Sequence, residues 1–409
     1  MIRNHPTIAL IFLILLILAG LFGLTWANYR FAEQNPGGND FLVRWIGAHE
    51  WLFAGTSPYD ASISLTAQET VYGHPANPDK GEDLNHFAYP FTSMIFFGPF
   101  GLFDYILARA LWTTTIELSL AALVVVSMRL VNWRLPAWRT ALLILFALIW
   151  YHGARTIILG QIAAIEALLI AAALLLIVKE QDTLAGLMLA LATAKPQMLV
   201  LILPFIIIWA YSRRRFRVIW GFLGSFAILF IISLLFIPNW PSQMVRQIIE
   251  YPSYTHDIDS VVSIVANTLP GISGQLNAGL SVFFWGYLIV EWVLAYRKDE
   301  RWFLWTALLT LVLTHFMSVR TATTNYVMMF PAFILILKIW EDRWGKVGKG
   351  LVAFTLLAAL IGLWALFFST VDGIYEQPVM YLPLPIFSLL GLWWVRWWAI
   401  KPPFPAIEE

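Results

Sequence analysis

The chain has 409 residues, 60% of them hydrophobic and only 12% charged, with a net charge of +1 and no cysteine; its mean hydropathy is +0.73. A soluble domain carries about a quarter charged residues, so the composition excludes one. Without cysteine there is no disulfide, thiolate nucleophile or cysteine-based metal site, and no basic, aromatic-interleaved run offers footing for nucleic acid.

Apolar runs of about twenty residues, enough to cross a bilayer, recur along the whole chain. The first, Thr7 to Trp26, follows Arg3 and His5 as a signal peptide would, but its core is too long and no small-x-small site precedes Asn28; it reads as a retained anchor. Residues 29–87 then form a long polar loop rich in acid (Glu33, Asp40, Glu50, Asp60, Glu69, Asp79, Glu82 and Asp83). Within it, 40–54 predicts an amphipathic helix. Phe41, Trp45, Ala48 and Leu52 share one face, Asn39 or Asp40 stands at the N-cap position and Gly55 ends it, a pattern suited to lying in the membrane interface.

The predicted spans are 7–28, 88–103, 106–130, 139–157, 162–178, 184–210, 218–237, 278–296, 302–317, 325–340, 351–369 and 383–400, giving an all-α polytopic membrane protein of about twelve helices in one domain, 1–409. Arg213-Arg214-Arg215-Phe216-Arg217, then Arg297, Lys298 and Arg301, then Lys338, Arg343, Lys346 and Lys349 occupy alternate connections. Those connections, and both termini, are expected to be cytoplasmic at the plasma membrane, with 29–87 and a second polar loop, 238–277, facing outward. Arg129, Arg134 and Arg139 contradict this count, and the short 88–103, with Pro90 and Pro99, allows a re-entrant or half-length helix within 88–178.

Several residues could carry chemistry. Asp40 is either a helix cap or a general base at the membrane surface, where Arg44 would help set its charge. His86-Phe87-Ala88-Tyr89-Pro90 opens the next run, and Gly160-Gln161 precedes another. Lys195, followed by Pro196, lies deep in an apolar run; it either snorkels, pairs with Glu166, or serves as a phosphate counter-charge. The stretch His315 to Tyr326 holds Arg320 with Thr321, Thr323, Thr324 and Asn325, which is either a donor-rich corner for a phosphate oxygen or a solvated turn. The second loop contributes His256 and an isolated Asp257-Ile258-Asp259. There is no P-loop, HExxH or nucleophile elbow, and no metal or other cofactor is expected.

The string Asp40-Phe41, Ala48, Leu52-Phe53-Ala54-Gly55, Pro58-Tyr59-Asp60, followed by Tyr89-Pro90, Gly160-Gln161 and Lys195-Pro196, resembles glycosyltransferase family 87 from the first helix to about residue 210. The resemblance implies a C-type integral-membrane glycosyltransferase fold with its site at the outer face. It also implies a polyprenyl-phosphate-linked sugar donor (mannose by default), a lipid or glycan acceptor, inversion at the anomeric carbon, no metal, and Asp40 as base. Arg320, Lys195, His315 and Gln161 would meet the donor phosphate. Arg44, Tyr59, His86, Tyr89, His256, Asn325 and Tyr326 would line the substrates. One departure stands out: the family pattern places a histidine where this chain has Asn325-Tyr326, so its role would pass to Arg320, Lys195 or His315. A monomer among membrane lipids is expected. The rival classes are a lipid or solute transporter, which would put polar residues at mid-membrane in matched halves, and a cell-surface polymer ligase or polymerase, which would favour a large late outward loop over a long first one.

Overall fold

The computed structural model describes residues 6–35, 37–250, 260–317, 322–373 and 376–401. The candidates Arg320 and His256, together with Thr321 and the Asp257–Asp259 pair, lie outside the described residues.

No β-strand occurs among the described residues. The α-helices run α1 (Pro6–Gln34), α2 (Asp40–Ala54), α3 (Ala61–Tyr72), α4 (Met94–Phe97), α5 (Tyr105–Leu130), α6 (Ala137–Ile149), α7 (Tyr151–Ile158), α8 (Ala163–Val178) and α9 (Asp182–Leu191). They continue as α10 (Pro196–Leu199), α11 (Ile202–Ser212), α12 (Phe216–Phe236), α13 (Trp240–Glu250), α14 (Val261–Asn267), α15 (Ser273–Ala295), α16 (Glu300–Leu313), α17 (Phe330–Thr370) and α18 (Pro383–Ile400). Among the described residues, six helical stretches are long and apolar enough to cross a membrane, and α6 with α7 forms a seventh, bent by 58°.

The differences from twelve predicted spans have local causes. Residues 88–103 do not form a spanning helix: Pro90, Gly98, Pro99 and Gly101 divide them into a 3-10 turn (Phe91–Ser93), the single turn α4 and a second 3-10 stretch (Gly98–Leu102). The apolar piece Phe91–Leu102 would reach only about 18 Å at 1.5 Å per residue, against a hydrocarbon core of about 30 Å. Instead it forms a seat for α2. A Cβ on Gly101 would stand 2.9 Å from the carbonyl carbon of Ala48, Trp45 donates from Nε1 to the Phe103 carbonyl (3.0 Å), and His49 Nδ1 pairs with the Gly101 carbonyl (2.9 Å). Phe41 is fully buried, stacked on Trp112 at 5.0 Å and edge-on to Phe100. The apolar face of α2 is therefore largely buried in protein, which corrects the expectation of a helix floating in the interface; its C-terminal residues Leu52, Phe53 and Ala54 are exposed.

The predicted run 184–210 is also not one helix. It breaks at Lys195-Pro196 into α9 and the α10–α11 limb. By contrast α17 is longer than one span: its 41 residues would extend about 62 Å. Its backbone leaves helical geometry at Gly345 (φ 50°, ψ −115°). Both halves run along the bent α6–α7 pair, because Phe330 and Phe333 pack on Trp150, Trp364 donates from Nε1 to the Ile149 carbonyl (2.9 Å), and Glu341 accepts both Nη groups of Arg139 at 2.7 Å. The element thus folds back on itself, which matches the two separate runs 325–340 and 351–369 read from the sequence.

The contacts of Arg139 also resolve the anomalous basic connection. It meets Glu341 beside Lys349, so the 131–136 connection shares one end of the bundle with the turn of α17. At that end Arg215 pairs with Asp182 and donates to the Ile177 carbonyl (2.7 Å), while Arg213 donates to the Arg297 carbonyl (3.3 Å). Removing 88–103 as a span and dividing 184–210 in two leaves the basic connections on one side. The acidic first loop, the Lys195 break and the 3-10 helix Thr323–Met329 occupy the other end.

Candidate active site

Asn39, not Asp40, caps α2: its side chain accepts from the Phe41 amide (3.1 Å) and donates to the Ile158 carbonyl (3.1 Å). Asp40 is the first helical residue. Its amide donates to the Leu159 carbonyl (3.1 Å), so the start of α2 is docked onto the end of α7 and the Asp40 carboxylate is released from capping. That placement depends on Gly160. With φ +66° it is the left-handed residue ending α7, its amide reaching the Ile157 carbonyl and the Gln161 amide reaching the Thr156 carbonyl, as in a Schellman cap. A Cβ at Gly160 would meet Asn39 Nδ2 at 2.8 Å and Phe41 Cβ at 3.0 Å.

The turn delivers Gln161 to Asp40. The Gln161 Nε2 group donates to Asp40 Oδ2, and its Oε1 accepts from Lys195 Nζ at 3.0 Å. Lys195 Nζ donates in addition to Asn325 Oδ1 at 2.7 Å. Four sequence candidates from four segments therefore form one hydrogen-bonded chain, Asp40–Gln161–Lys195–Asn325. Lys195 is 4% exposed and Asn325 1%. Lys195 reaches this position because residues before proline are driven from helical to extended backbone, here φ −126°, ψ 79° after the short turn Ala192–Ala194. Alongside, Arg44 donates to the Asp40 carbonyl and its guanidinium lies 4.8 Å from the centre of the Tyr89 ring.

The remaining candidates form outer layers. Tyr59 donates to the Tyr89 carbonyl at 2.6 Å, and burial pushes its hydroxyl well above the usual range. His86 pairs through Nδ1 with Ser64 Oγ (2.9 Å), and burial lowers its pKa. Tyr326 is fully buried and donates to the Tyr381 carbonyl (3.0 Å); the ring of His315, 1% exposed, stands edge-on to it at 4.6 Å, behind Asn325.

The family model for glycosyltransferase family 87 matches residues 87–319, more than half of the chain. The chain belongs to glycosyltransferase family 87. It is a glycosyltransferase, and its apolar helices make it a multi-pass membrane enzyme. Family 87 membership decides against the transporter reading. The matched stretch contains Gln161 and Lys195 but neither Asp40 nor Asn325, which flank it. No curated relative and no solved structure matches the chain.

The sequence reading gave no site role to several residues around this family 87 site, and offered Glu166 only as a partner for Lys195. Asp83 accepts from the Asn85 amide (2.6 Å); burial raises its pKa, as does the charge of Asp40, while the bond from Asn85 and the charges of Arg44 and His86 oppose this. Glu166 is fully buried, with neither carboxyl oxygen hydrogen-bonded among the described residues. In the apolar stretch leading to Gln161, His152 pairs through Nδ1 with the Thr323 carbonyl (3.0 Å), and Arg155 forms an ion pair with Glu376 at 3.1 Å. A charge within an apolar run is a signal in itself, so Arg155 could have been picked out; Glu376, in a short connection, offered none.

Proposed function

We propose that the enzyme transfers a hexosyl residue, by resemblance mannosyl, from a polyprenyl-phosphate-linked donor to a lipid or glycan acceptor at the outer membrane face, with inversion. The reading includes a C-type fold with cytoplasmic termini. The observation that carries it is the neutral amide of Gln161 between Asp40 and Lys195. A lysine in direct contact with Asp40 would stabilise the carboxylate and weaken it as a base. Interposing an amide keeps a base and a cation in fixed relation without quenching either.

In the proposed step the acceptor hydroxyl gives its proton to Asp40 as its oxygen bonds to the anomeric carbon. The bond from that carbon to the phosphate oxygen breaks, and its electron pair leaves on the lipid phosphate. Lys195, which donates to the neutral oxygens of Gln161 and Asn325, would turn toward the developing charge, with Arg320 the candidate second cation. General-base catalysis contributes about 10²–10⁴-fold. A cleft of about 700 Å³ between α6 and the second half of α17, walled by Leu142, Phe146, Ile149 and Leu356 and reaching Arg139 and Lys349 at the basic end, would suit the far part of an isoprenoid chain whose phosphate lies at the other end.

The test is to incubate purified enzyme with radiolabelled polyprenyl-phosphate mannose and a membrane extract. Label should move to a lipid or glycan product. Transfer from a nucleotide sugar, with none from the lipid-linked donor, would overturn the reading.

A further inference from the structure

Asn325 sits in the 3-10 helix Thr323–Met329, and such helices hold poorer hydrogen-bond geometry than α-helices and are rarely long. Its position is nonetheless fixed from several sides. The His152 ring holds the Thr323 carbonyl, Thr156 Oγ1 donates to the Thr324 carbonyl (3.2 Å) and Tyr326 donates to the Tyr381 carbonyl. The Thr323 hydroxyl donates to both oxygens of Glu376, at 2.7 and 2.8 Å.

Glu376 is the hub of this arrangement. Its side chain is 7% exposed. Besides Thr323 it accepts from the Tyr151 hydroxyl and, at 3.4 Å, from the Tyr381 hydroxyl, and it pairs with Arg155 Nε. One carboxylate thereby joins α7, the 3-10 helix and the connection before α18. Two of these elements carry site residues: α7 ends in the turn that presents Gln161, and the 3-10 helix presents Asn325. A buried carboxylate with these partners gives a rigid junction, since the Thr323 and Tyr151 hydroxyls donate to a charged acceptor and Arg155 adds an ion pair, its Nε making no hydrogen bond among the described residues. The bend of 58° between α6 and α7 aims His152, Arg155 and Thr156 at it. That bend needs Gly153, where a Cβ would fall 2.0 Å from the Ala147 carbonyl oxygen.

We propose that Glu376 is a positioning residue for glycosyl transfer, clamping the two limbs that hold Gln161 and Asn325 in register with Lys195 and Asp40. It lies beyond residue 319, where the family match ends. The kinetic part of the claim rests on the donor reading above; the clamp itself does not.

Two measurements on the full-length enzyme decide it. The first is hydrogen exchange at the amides of 323–329 in wild type, Glu376→Ala, Glu376→Gln and Thr323→Val. Exchange should quicken at least tenfold in Glu376→Ala, less in Glu376→Gln, which keeps an acceptor oxygen, and measurably in Thr323→Val. The second is turnover per folded molecule with polyprenyl-phosphate mannose. It should fall at least tenfold in Glu376→Ala with donor KM changed less than threefold, and Glu376→Gln should recover most of it. Unchanged exchange overturns the clamp, and quickened exchange with wild-type turnover overturns the positioning role. Should Glu376→Ala not fold, Thr323→Val carries both readouts and the same criteria. A wild type inactive with this donor would sink the donor reading alone, and the exchange data would then decide the clamp.

Discussion

At the scale of single residues, the reading of Asp40 turns on which neighbour caps the helix. Asn39 does so, so loss of the Asp40 carboxylate should spare the fold. Asp40→Asn is expected to cut transfer by about 10²-fold or more while the melting temperature stays near that of wild type; substantial residual turnover would remove Asp40 from the role of base. Lys195→Met should raise donor KM or slow transfer by tens-fold, and wild-type donor kinetics in that variant would move the phosphate elsewhere. Asp83 offers a test by pH. Burial raises its folded-state pKa, so ionised Asp83 costs stability, and the cost grows as pH rises through the folded value. Below the ordinary carboxylate range the group is protonated in both states and the cost vanishes. Asp83→Asn should therefore melt higher than wild type at neutral pH, with the gap closing on acidification; a gap that widens in acid would contradict the assignment. Asp40 and Gln161 were legible through the resemblance to family 87, Asp40 also from its place at a helix start, and Lys195 as a charge within an apolar run. Glu376 was not, because its closest partners, Thr323, Tyr151 and Arg155, lie more than fifty residues away in the chain.

At the scale of elements, helix ends and breaks were readable and their partners were not. The Asn39 to Gly55 frame of α2 follows from cap chemistry, yet the amphipathic stripe could not say whether lipid or protein covers it. Phe41 against Trp112 gives the answer, protein. Hydropathy likewise merged 184–210 into one run, since Lys195 and Pro196 barely dent the average of so apolar a stretch. The turn at Gly160 is the sharpest test of how elements make the site. Gly160→Ala should cost about 1–2 kcal/mol for the left-handed backbone alone and push Asn39 away. Turnover should drop with it, whereas Gly224→Ala, where a Cβ would meet nothing within 4 Å, should be silent. Equal activity in the two variants would show that the contact between α2 and α7 does not matter to catalysis.

For the whole molecule, losing 88–103 as a span and dividing 184–210 in two offset each other, so the basic connections gather at one end of the bundle; the proposal puts that end in the cytoplasm. Single cysteines in this cysteine-free chain can check it: an impermeant maleimide should label Lys80→Cys in intact cells and Lys179→Cys only after permeabilisation. The reverse pattern would invert the enzyme and move its site to the cytoplasm. The four-residue chain joining Asp40 to Asn325 also has a consequence for how the gene can be handled. Its members are spread over 286 positions of the polypeptide, with the two outer ones beyond the family-matched stretch. An expression fragment trimmed to 87–319 would keep the family signature and lose both ends of the relay, whereas two separately encoded pieces that re-associate could restore it.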